Sequence, residues 1–288
     1  MVFIYRLIWP MLFLVMRFQF LQAQEVRPER AQISVKLDNS QVQVLYSTFL
    51  KDSIHLYVCL PSAYYENMDQ YPVLYLADGD DFVLMAAEMS RLIAVDKEIP
   101  PMIIVGLAYG AHITKPGNHR NRDYSPYFET GYPESGGAAL FIDALQSEVF
   151  TYVNSAYRTM PAERYFFGTS LGGLLGTYIL FHRPEMFSRY ILSSPSLWWG
   201  HQGIFQEEAS YFQSKKSLAA RAYFSVGSEE DKAFMKDPIL RLIQNLDTRK
   251  YEGLQYQFEV LQGETHLSAG PSSLVKGLRY ISGKNSQH

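Results

Sequence analysis

The most informative stretch of this chain is Tyr165-Phe166-Phe167-Gly168-Thr169-Ser170-Leu171-Gly172-Gly173-Leu174. It contains an apolar run, a turn of the form G-x-S-x-G and the beginning of a helical pattern. Such a turn holds a serine at the tip of a strained strand-to-helix connection, the nucleophile elbow. The helix beneath the serine begins with free backbone N–H groups, and glycines allow the tight turn. The stretch therefore predicts that Ser170 is a nucleophile exposed above a sheet.

Apolar segments that alternate with helical patterns surround this elbow. Continuous apolar runs, which are typical of strands buried on both faces, occupy residues 73–77, 102–107, 189–193 and 222–226. Helical patterns occupy 82–95, 138–152, 202–213, 238–246 and 271–281, and a last strand is predicted at 255–260. Three alternating segments, at 31–37, 41–47 and 53–58, predict antiparallel strands near the N-terminus. The pattern predicts an α/β protein with a mostly parallel central sheet and helices on both faces.

The composition limits the possible classes of function. The chain has 288 residues, of which 47% are hydrophobic, and this is enough for one large core. The net charge is −3 and no basic block is present, so we expect no nucleic-acid partner. Cys59 is the only cysteine and lies in an alternating segment. We predict that it is a small buried hydrophobe and not a nucleophile.

The N-terminal residues have the pattern of a targeting segment. Residues 1–21 are apolar with Arg6 and Arg17 as their only charges, and the sequence becomes polar after Ala23 and Gln24. This predicts a signal peptide at 1–23, an exported protein that is periplasmic or secreted, and a single domain at 24–288. The alternative is an uncleaved membrane anchor, but Arg17 interrupts the apolar run and its length is marginal for a span. We therefore expect no stable membrane span after removal of the signal.

A serine nucleophile needs a general base and a carboxylate that orients it. On this fold the order along the chain is serine, acid, histidine, which leaves His182, His201, His266 and His288 as bases. His266 follows the last predicted strand, where it can reach the carboxyl edge of the sheet. Three carboxylates follow the preceding strand, namely Glu229, Glu230 and Asp231, and spacing alone does not separate them.

The oxyanion of an acyl-transfer reaction needs preorganised hydrogen-bond donors. The backbone N–H of Leu171 is one candidate because it follows the nucleophile. The second is expected in the loop after the strand at 73–77, near Gly79 and Asp80. The run Asp78-Gly79-Asp80-Asp81 could suggest a metal site, but its spacing does not match a calcium loop. We predict no metal and no cofactor.

Four stretches resemble the putative esterase family of α/β-hydrolases, which includes esterase D and siderophore, feruloyl and acetyl-xylan esterases, and mycolyltransferases. These stretches are the strand and loop at 73–79, Arg120-Asn121-Arg122-Asp123-Tyr124-Ser125-Pro126, the elbow, and residues 183–199 with Ser193-Ser194-Pro195-Ser196-Leu197-Trp198-Trp199. The resemblance implies an α/β-hydrolase fold and a serine esterase. The family's G-x-x-[DE] pattern, counted from Gly227, implies Glu230 as the acid, and its G-x-x-H pattern implies His266. Asp80 departs from the apolar or uncharged residue that many members carry, which bears on substrate preference.

The substrate is expected to contact the long loop at 108–137 and the two tryptophans. Arg120 and Arg122 could bind an anionic or polyphenolic group, as in a siderophore, although Arg122 could instead pair with Asp123 to brace the loop. Trp198 and Trp199 could stack a sugar or aromatic ring, or pack as a wall. A siderophore esterase and a carbohydrate esterase are therefore both expected candidates. An acyltransferase using the same three residues and an inactive binding module are the alternatives.

Overall fold

An eight-stranded sheet lies at the centre of the protein in the computed structural model, which describes residues 37–283. The strands are β1 Ser40–Ser47, β2 Asp52–Cys59, β3 Tyr71–Leu76, β4 Ile103–Ala108, β5 Thr159–Thr169, β6 Arg189–Ser193, β7 Ser217–Gly227 and β8 Glu252–Leu261. Their order is β1-β2-β4-β3-β5-β6-β7-β8. The pairs β1–β2 and β2–β4 are antiparallel and the others are parallel, as the sequence patterns predict. The predicted signal peptide at 1–23 and residues 31–36 of the first predicted strand lie outside the described residues.

The longer helices lie between consecutive parallel strands or, in the case of the last helix, after the final strand. They are α1 Gly79–Val95, α2 Ala138–Ala144, α3 Phe150–Ala156, α4 Leu171–His182, α5 Ile204–Ser214, α6 Asp237–Arg249 and α7 Ala269–Ile281. A π-helical turn at Leu145–Val149 joins α2 to α3. Shorter helical segments lie at Arg120–Asp123, Pro184–Met186, Trp199–Gln202 and Lys232–Lys236. Between residues 37 and 283, no helix combines the length and the apolar character that crossing a membrane requires.

Both faces of the sheet are buried because successive strand residues point to opposite sides. Tyr75 and Phe166 belong to a core that also contains residues of α2 to α6, whereas Leu74 and Phe167 belong to a second core with residues of α1 and α7. The continuous apolar runs of the sequence reflect this double burial, and the predicted α/β-hydrolase fold with helices on both faces is confirmed. Cys59 is buried at the end of β2, as predicted.

The register of the parallel strands brings their carboxyl ends to one edge. Leu76 of β3 lies opposite Phe167 of β5, and Thr169 of β5 lies opposite Ser193 of β6. Ser193 in turn lies opposite Ser225 of β7. The residues that follow these strands are therefore neighbours in space although they are distant in sequence, and the functional residues of such sheets collect at this edge.

Candidate active site

Ser170 occupies the turn between β5, which ends at Thr169, and α4, which begins at Leu171. Its φ of 58° and ψ of −120° lie outside the regions that L-residues favour. A Cβ at Gly168 would lie 2.2 Å from the carbonyl oxygen of Gly172, so this close approach requires glycine. The local sequence therefore forms the strained turn that the G-x-S-x-G pattern predicts, with Ser170 at its tip.

His266 and Glu230 complete a chain of hydrogen bonds that begins at Ser170. The Nε2 of His266 lies 3.0 Å from Oγ of Ser170, and Nδ1 lies 2.6 Å from Oε2 of Glu230. His266 is in the loop between β8 and α7, and Glu230 is in the loop after β7. In this arrangement Nδ1 donates to the carboxylate, which leaves Nε2 able to accept the serine proton.

The turn after β7 separates the three consecutive carboxylates. Glu230 is buried, and its Oε1 accepts hydrogen bonds from the Gly227 N–H at 2.7 Å and from the Ser194 hydroxyl. Glu229 is exposed, and Asp231 accepts from the N–H of Phe234 at 2.8 Å. Among the three, only Glu230 therefore points toward His266.

The same contacts control the charge of Glu230. Burial acts to raise its pKa, but hydrogen bonds from His266, Ser194 and the Gly227 N–H act in the opposite direction and prevail, so that the pKa lies below its ordinary value. Glu230 is thus an ionised carboxylate at neutral pH. An anion beside Nδ1 stabilises the imidazolium that forms when Nε2 takes up a proton.

The expected oxyanion donors lie on two helix N-termini. Leu171 is the first residue of α4, and Asp80 is the second residue of α1. The segments that precede these helices are neighbours, because the N–H of Ala77, just after β3, donates to the carbonyl of Phe167 in β5 at 3.0 Å. The Asp80 side chain is turned into the protein, where it accepts from Tyr57 Oη at 2.8 Å and from Tyr109 N at 2.7 Å. The carboxylate of Asp80, which departs from the family pattern, thus accepts hydrogen bonds from two donors of the protein. Within residues 37–283, no three His, Cys, Asp or Glu side chains are grouped closely enough to hold a metal ion.

Both loop arginines that were predicted to bind substrate contact carboxylates of the protein. Arg120 makes two hydrogen bonds to Asp78, Nε to Oδ1 at 2.7 Å and a terminal nitrogen to Oδ2 at 3.0 Å. Arg122 bonds to Asp123 at 2.7 Å and to Asp52 at 3.3 Å. These contacts favour a bracing role for Arg122, the alternative considered above, and they occupy the guanidinium of Arg120 as well.

The two tryptophans have different environments. Trp199 is buried, donates from Nε1 to the carbonyl of Tyr127 at 3.0 Å and packs against Tyr132. Trp198 is only half-buried, and its ring contacts Phe234, which is exposed. Trp199 therefore has a packing role in the protein interior, whereas Trp198 offers an accessible aromatic face.

Two serines beside the elbow were not predicted from the sequence to belong to the site. Ser194 donates to Glu230, and the Oγ of Ser196 lies 3.2 Å from Oγ of Ser170. Both belong to the Ser-Ser-Pro-Ser run at 193–196, which begins at the last residue of β6. Polar residues at the carboxyl end of the strand next to the elbow were the available signal, since neighbouring parallel strands end at the same edge.

Comparisons with known proteins agree with this fold. The family described as "Putative esterase" matches residues 47–280. The ferri-bacillibactin esterase BesA of Bacillus subtilis is 25% identical over 262 residues, which cover 85% of this chain and 90% of that protein. The siderophore triacetylfusarinine C esterase of Aspergillus fumigatus is 32% identical over 148 residues, which cover 50% of this chain and 51% of that protein.

Solved structures include the BES protein from Bacillus cereus, with a TM-score of 0.78 and 27% identity over 87% of this chain and 97% of that one. The matched residues include the elbow, the loops after β7 and β8, and most of the sheet. The predicted family and the predicted carboxylic-ester hydrolase are thus confirmed. By its fold, its elbow and this match, the chain belongs to the putative esterase family of α/β-hydrolases.

Proposed function

We propose that this protein is a serine esterase that hydrolyses siderophore esters and that Ser170, His266 and Glu230 form its catalytic triad. The observation that carries the proposal is the unbroken chain of hydrogen bonds from Ser170 through His266 to the buried carboxylate of Glu230. The relatives named as a ferri-bacillibactin esterase and as a siderophore triacetylfusarinine C esterase support the substrate class.

The reaction begins when Oγ of Ser170 attacks the ester carbonyl carbon and its proton passes to Nε2 of His266. The backbone N–H groups of Leu171 and Asp80 stabilise the oxyanion of the tetrahedral intermediate. The intermediate collapses, the alcohol leaves with the proton from His266, and an acyl-enzyme remains. Water then gives its proton to His266 and attacks the acyl group, which releases the acid and restores Ser170.

Replacement of the nucleophile tests the mechanism. Ser170→Ala should lower the hydrolysis of p-nitrophenyl acetate on the order of 10⁶-fold, as in other serine hydrolases, without lowering the melting temperature. A fluorophosphonate probe should label the natural chain and not the variant. Retained turnover in Ser170→Ala would refute the assignment, and a chain that neither reacts with the probe nor hydrolyses esters would be a binding module.

A substrate panel tests the class of ester. We expect kcat/KM for an iron-bound catecholate trilactone to exceed that for acetylated and feruloylated sugars. The reverse order would identify a carbohydrate esterase. Ester formation with an added alcohol in preference to hydrolysis would identify an acyltransferase.

We propose further that the protein is exported after cleavage of residues 1–23, on the basis of the apolar segment that precedes the polar residues from Glu25. N-terminal sequencing of the protein from the exported fraction should begin at Gln24 or Glu25. Recovery of the uncleaved chain in the membrane fraction would support an anchor instead.

A further inference from the structure

An ion pair lies beside the elbow, between the loop after β3 and the long loop that precedes α2. The carboxylate of Asp78 is fully buried, and the Arg120 side chain is 12% exposed. Both carboxylate oxygens accept from the guanidinium, at 2.7 Å and 3.0 Å. This two-pronged geometry is the strongest kind of charged hydrogen bond that an arginine makes, and it fixes the orientation of both groups.

Asp78 stands at the N-cap position of α1 but does not cap it. An aspartate at this position ordinarily accepts a hydrogen bond from the second or third N–H of its helix. Here the side chain makes no such bond, since it is turned to Arg120, and the backbone has the left-handed φ of 55° and ψ of 46°. Asp78 N–H donates to Tyr124 Oη at 3.1 Å, which holds the turn from the other side.

The consequence is that the first two amides of α1 remain available. The carbonyl of Asp78 accepts from the N–H groups of Asp81 and Phe82, at 3.0 Å and 3.1 Å. The N–H groups of Gly79 and Asp80 have no acceptor among the residues that the structure describes. A side chain of Asp78 free to rotate would compete for the Asp80 amide, the predicted oxyanion donor.

The ion pair also lies beside the elbow helix. A Cβ built on Gly172 would lie 2.8 Å from Cβ of Ala77 and 3.5 Å from Oδ2 of Asp78. Gly172 is the second residue after Ser170, so the carboxylate is close to the place where negative charge develops during acyl transfer. An unpaired anion in a buried site would oppose that charge, because electrostatic interactions are strong where water is excluded.

We propose that Arg120 is a positioning residue for the oxyanion site and not a substrate ligand. Through Asp78, it keeps the carboxylate off the first amides of α1 and balances its charge beside the elbow. The inference rests on the proposed serine-esterase mechanism. It replaces the sequence-based expectation that Arg120 binds an anionic substrate.

Kinetics on a small neutral ester distinguish the two roles. Arg120→Lys keeps the charge but loses the two-pronged contact. We expect it to lower kcat for p-nitrophenyl acetate by about 10²–10³-fold, as loss of an oxyanion donor does, with KM changed less than about twofold. Arg279→Lys is the matched control, since Arg279 makes the same two-pronged contact with Glu98 and kcat should stay unchanged.

A rescue experiment separates positioning from general structural damage. Arg120→Met leaves the Asp78 carboxylate unpaired and should be the more impaired variant. The double variant Asp78→Gly, Arg120→Met removes the side chain that competes for the amides, and glycine adopts the left-handed backbone without strain. It should recover at least about tenfold in kcat over Arg120→Met, which is a gain of about 1.4 kcal/mol in transition-state stabilisation.

The proposal is overturned if Arg120→Lys keeps the kcat for the neutral ester and raises KM only for the iron-bound catecholate trilactone. It is also overturned if the double variant is no more active than Arg120→Met. Failure of the underlying mechanism gives a different result, because the natural chain itself would then not hydrolyse the neutral ester or react with a fluorophosphonate.

Discussion

The Nδ1 of His266 lies 2.6 Å from Oε2 of Glu230, although the two residues are 36 positions apart in the sequence. The contact depends on the pairing of β7 with β8, which brings the loops after both strands to the same edge. It also distinguishes Glu230 from the two carboxylates next to it in the sequence, Glu229 and Asp231.

Glu230→Gln should reduce kcat by about 10⁴-fold, because an amide no longer holds the histidine in its working tautomer. Glu229→Gln is the matched control, since Glu229 is adjacent, exposed and bonded only to the hydroxyl of Ser228 among the described side chains. Its kcat should stay within about twofold of the natural chain, as surface changes rarely alter a folded site. Equal losses in both variants would contradict the assignment of Glu230.

The dependence of stability on pH should also change in Glu230→Gln. Because the pKa of Glu230 lies below its ordinary value in the fold, its contribution is complete above the unfolded-state pKa of about 4.3 and is lost as pH falls through the folded-state pKa. The difference in unfolding free energy between the natural chain and Glu230→Gln should therefore shrink as pH falls below about 4.3. Denaturant titrations at pH 7, 5, 4 and 3 measure it; a difference that is constant with pH would contradict the prediction.

The backbone strain at Ser170 should appear as a difference between two substitutions. A non-glycine residue at such a φ and ψ costs about 1–3 kcal/mol, and glycine escapes this cost while losing about 0.4–1 kcal/mol through the unfolded chain. Ser170→Gly should therefore be more stable than Ser170→Ala by about 1 kcal/mol, with both inactive. Thermal unfolding of the pair measures the difference. Equal or reversed stabilities would show that the turn stores no strain.

The two tryptophans should separate stability from binding. Trp199→Ala should cost about 3–5 kcal/mol of unfolding free energy, because the side chain is 2% exposed and packs against Tyr132. Trp198→Ala should cost less and should raise KM for an aromatic ester by about 2–10-fold, the value of one ring contact.

Trp198→Phe, which keeps a ring, is the control and should retain most of the affinity for the aromatic ester. An unchanged KM in Trp198→Ala would remove this residue from the substrate site. A Trp199→Ala variant with the natural melting temperature would contradict the wall-packing role.

The sequence alone was sufficient for the α/β class, the antiparallel start of the sheet and the position of the elbow. These features rest on local causes: the spacing of apolar residues reports which faces are buried, and the glycines around Ser170 report a turn that other residues cannot make. The order of residues on this fold also singled out His266. Strand ends were less well predicted, and β7 begins at Ser217 although its apolar run begins at residue 222. Arg221 interrupts the run and the preceding alanines have a low preference for strands, so the first half of β7 gives a weak signal.

Contacts between segments that are distant in the sequence became visible only in the folded protein. Spacing left Glu229, Glu230 and Asp231 equivalent, and the family pattern favoured Glu230; the turn after β7 buries only that carboxylate against His266. Arg120 looked like a free cation in a polar loop until the fold placed it on Asp78, 42 positions away. The type of a residue gives the charge or ring of its side chain. Its partner depends on which loops the sheet places at the same edge, and no local pattern in the chain encodes this placement.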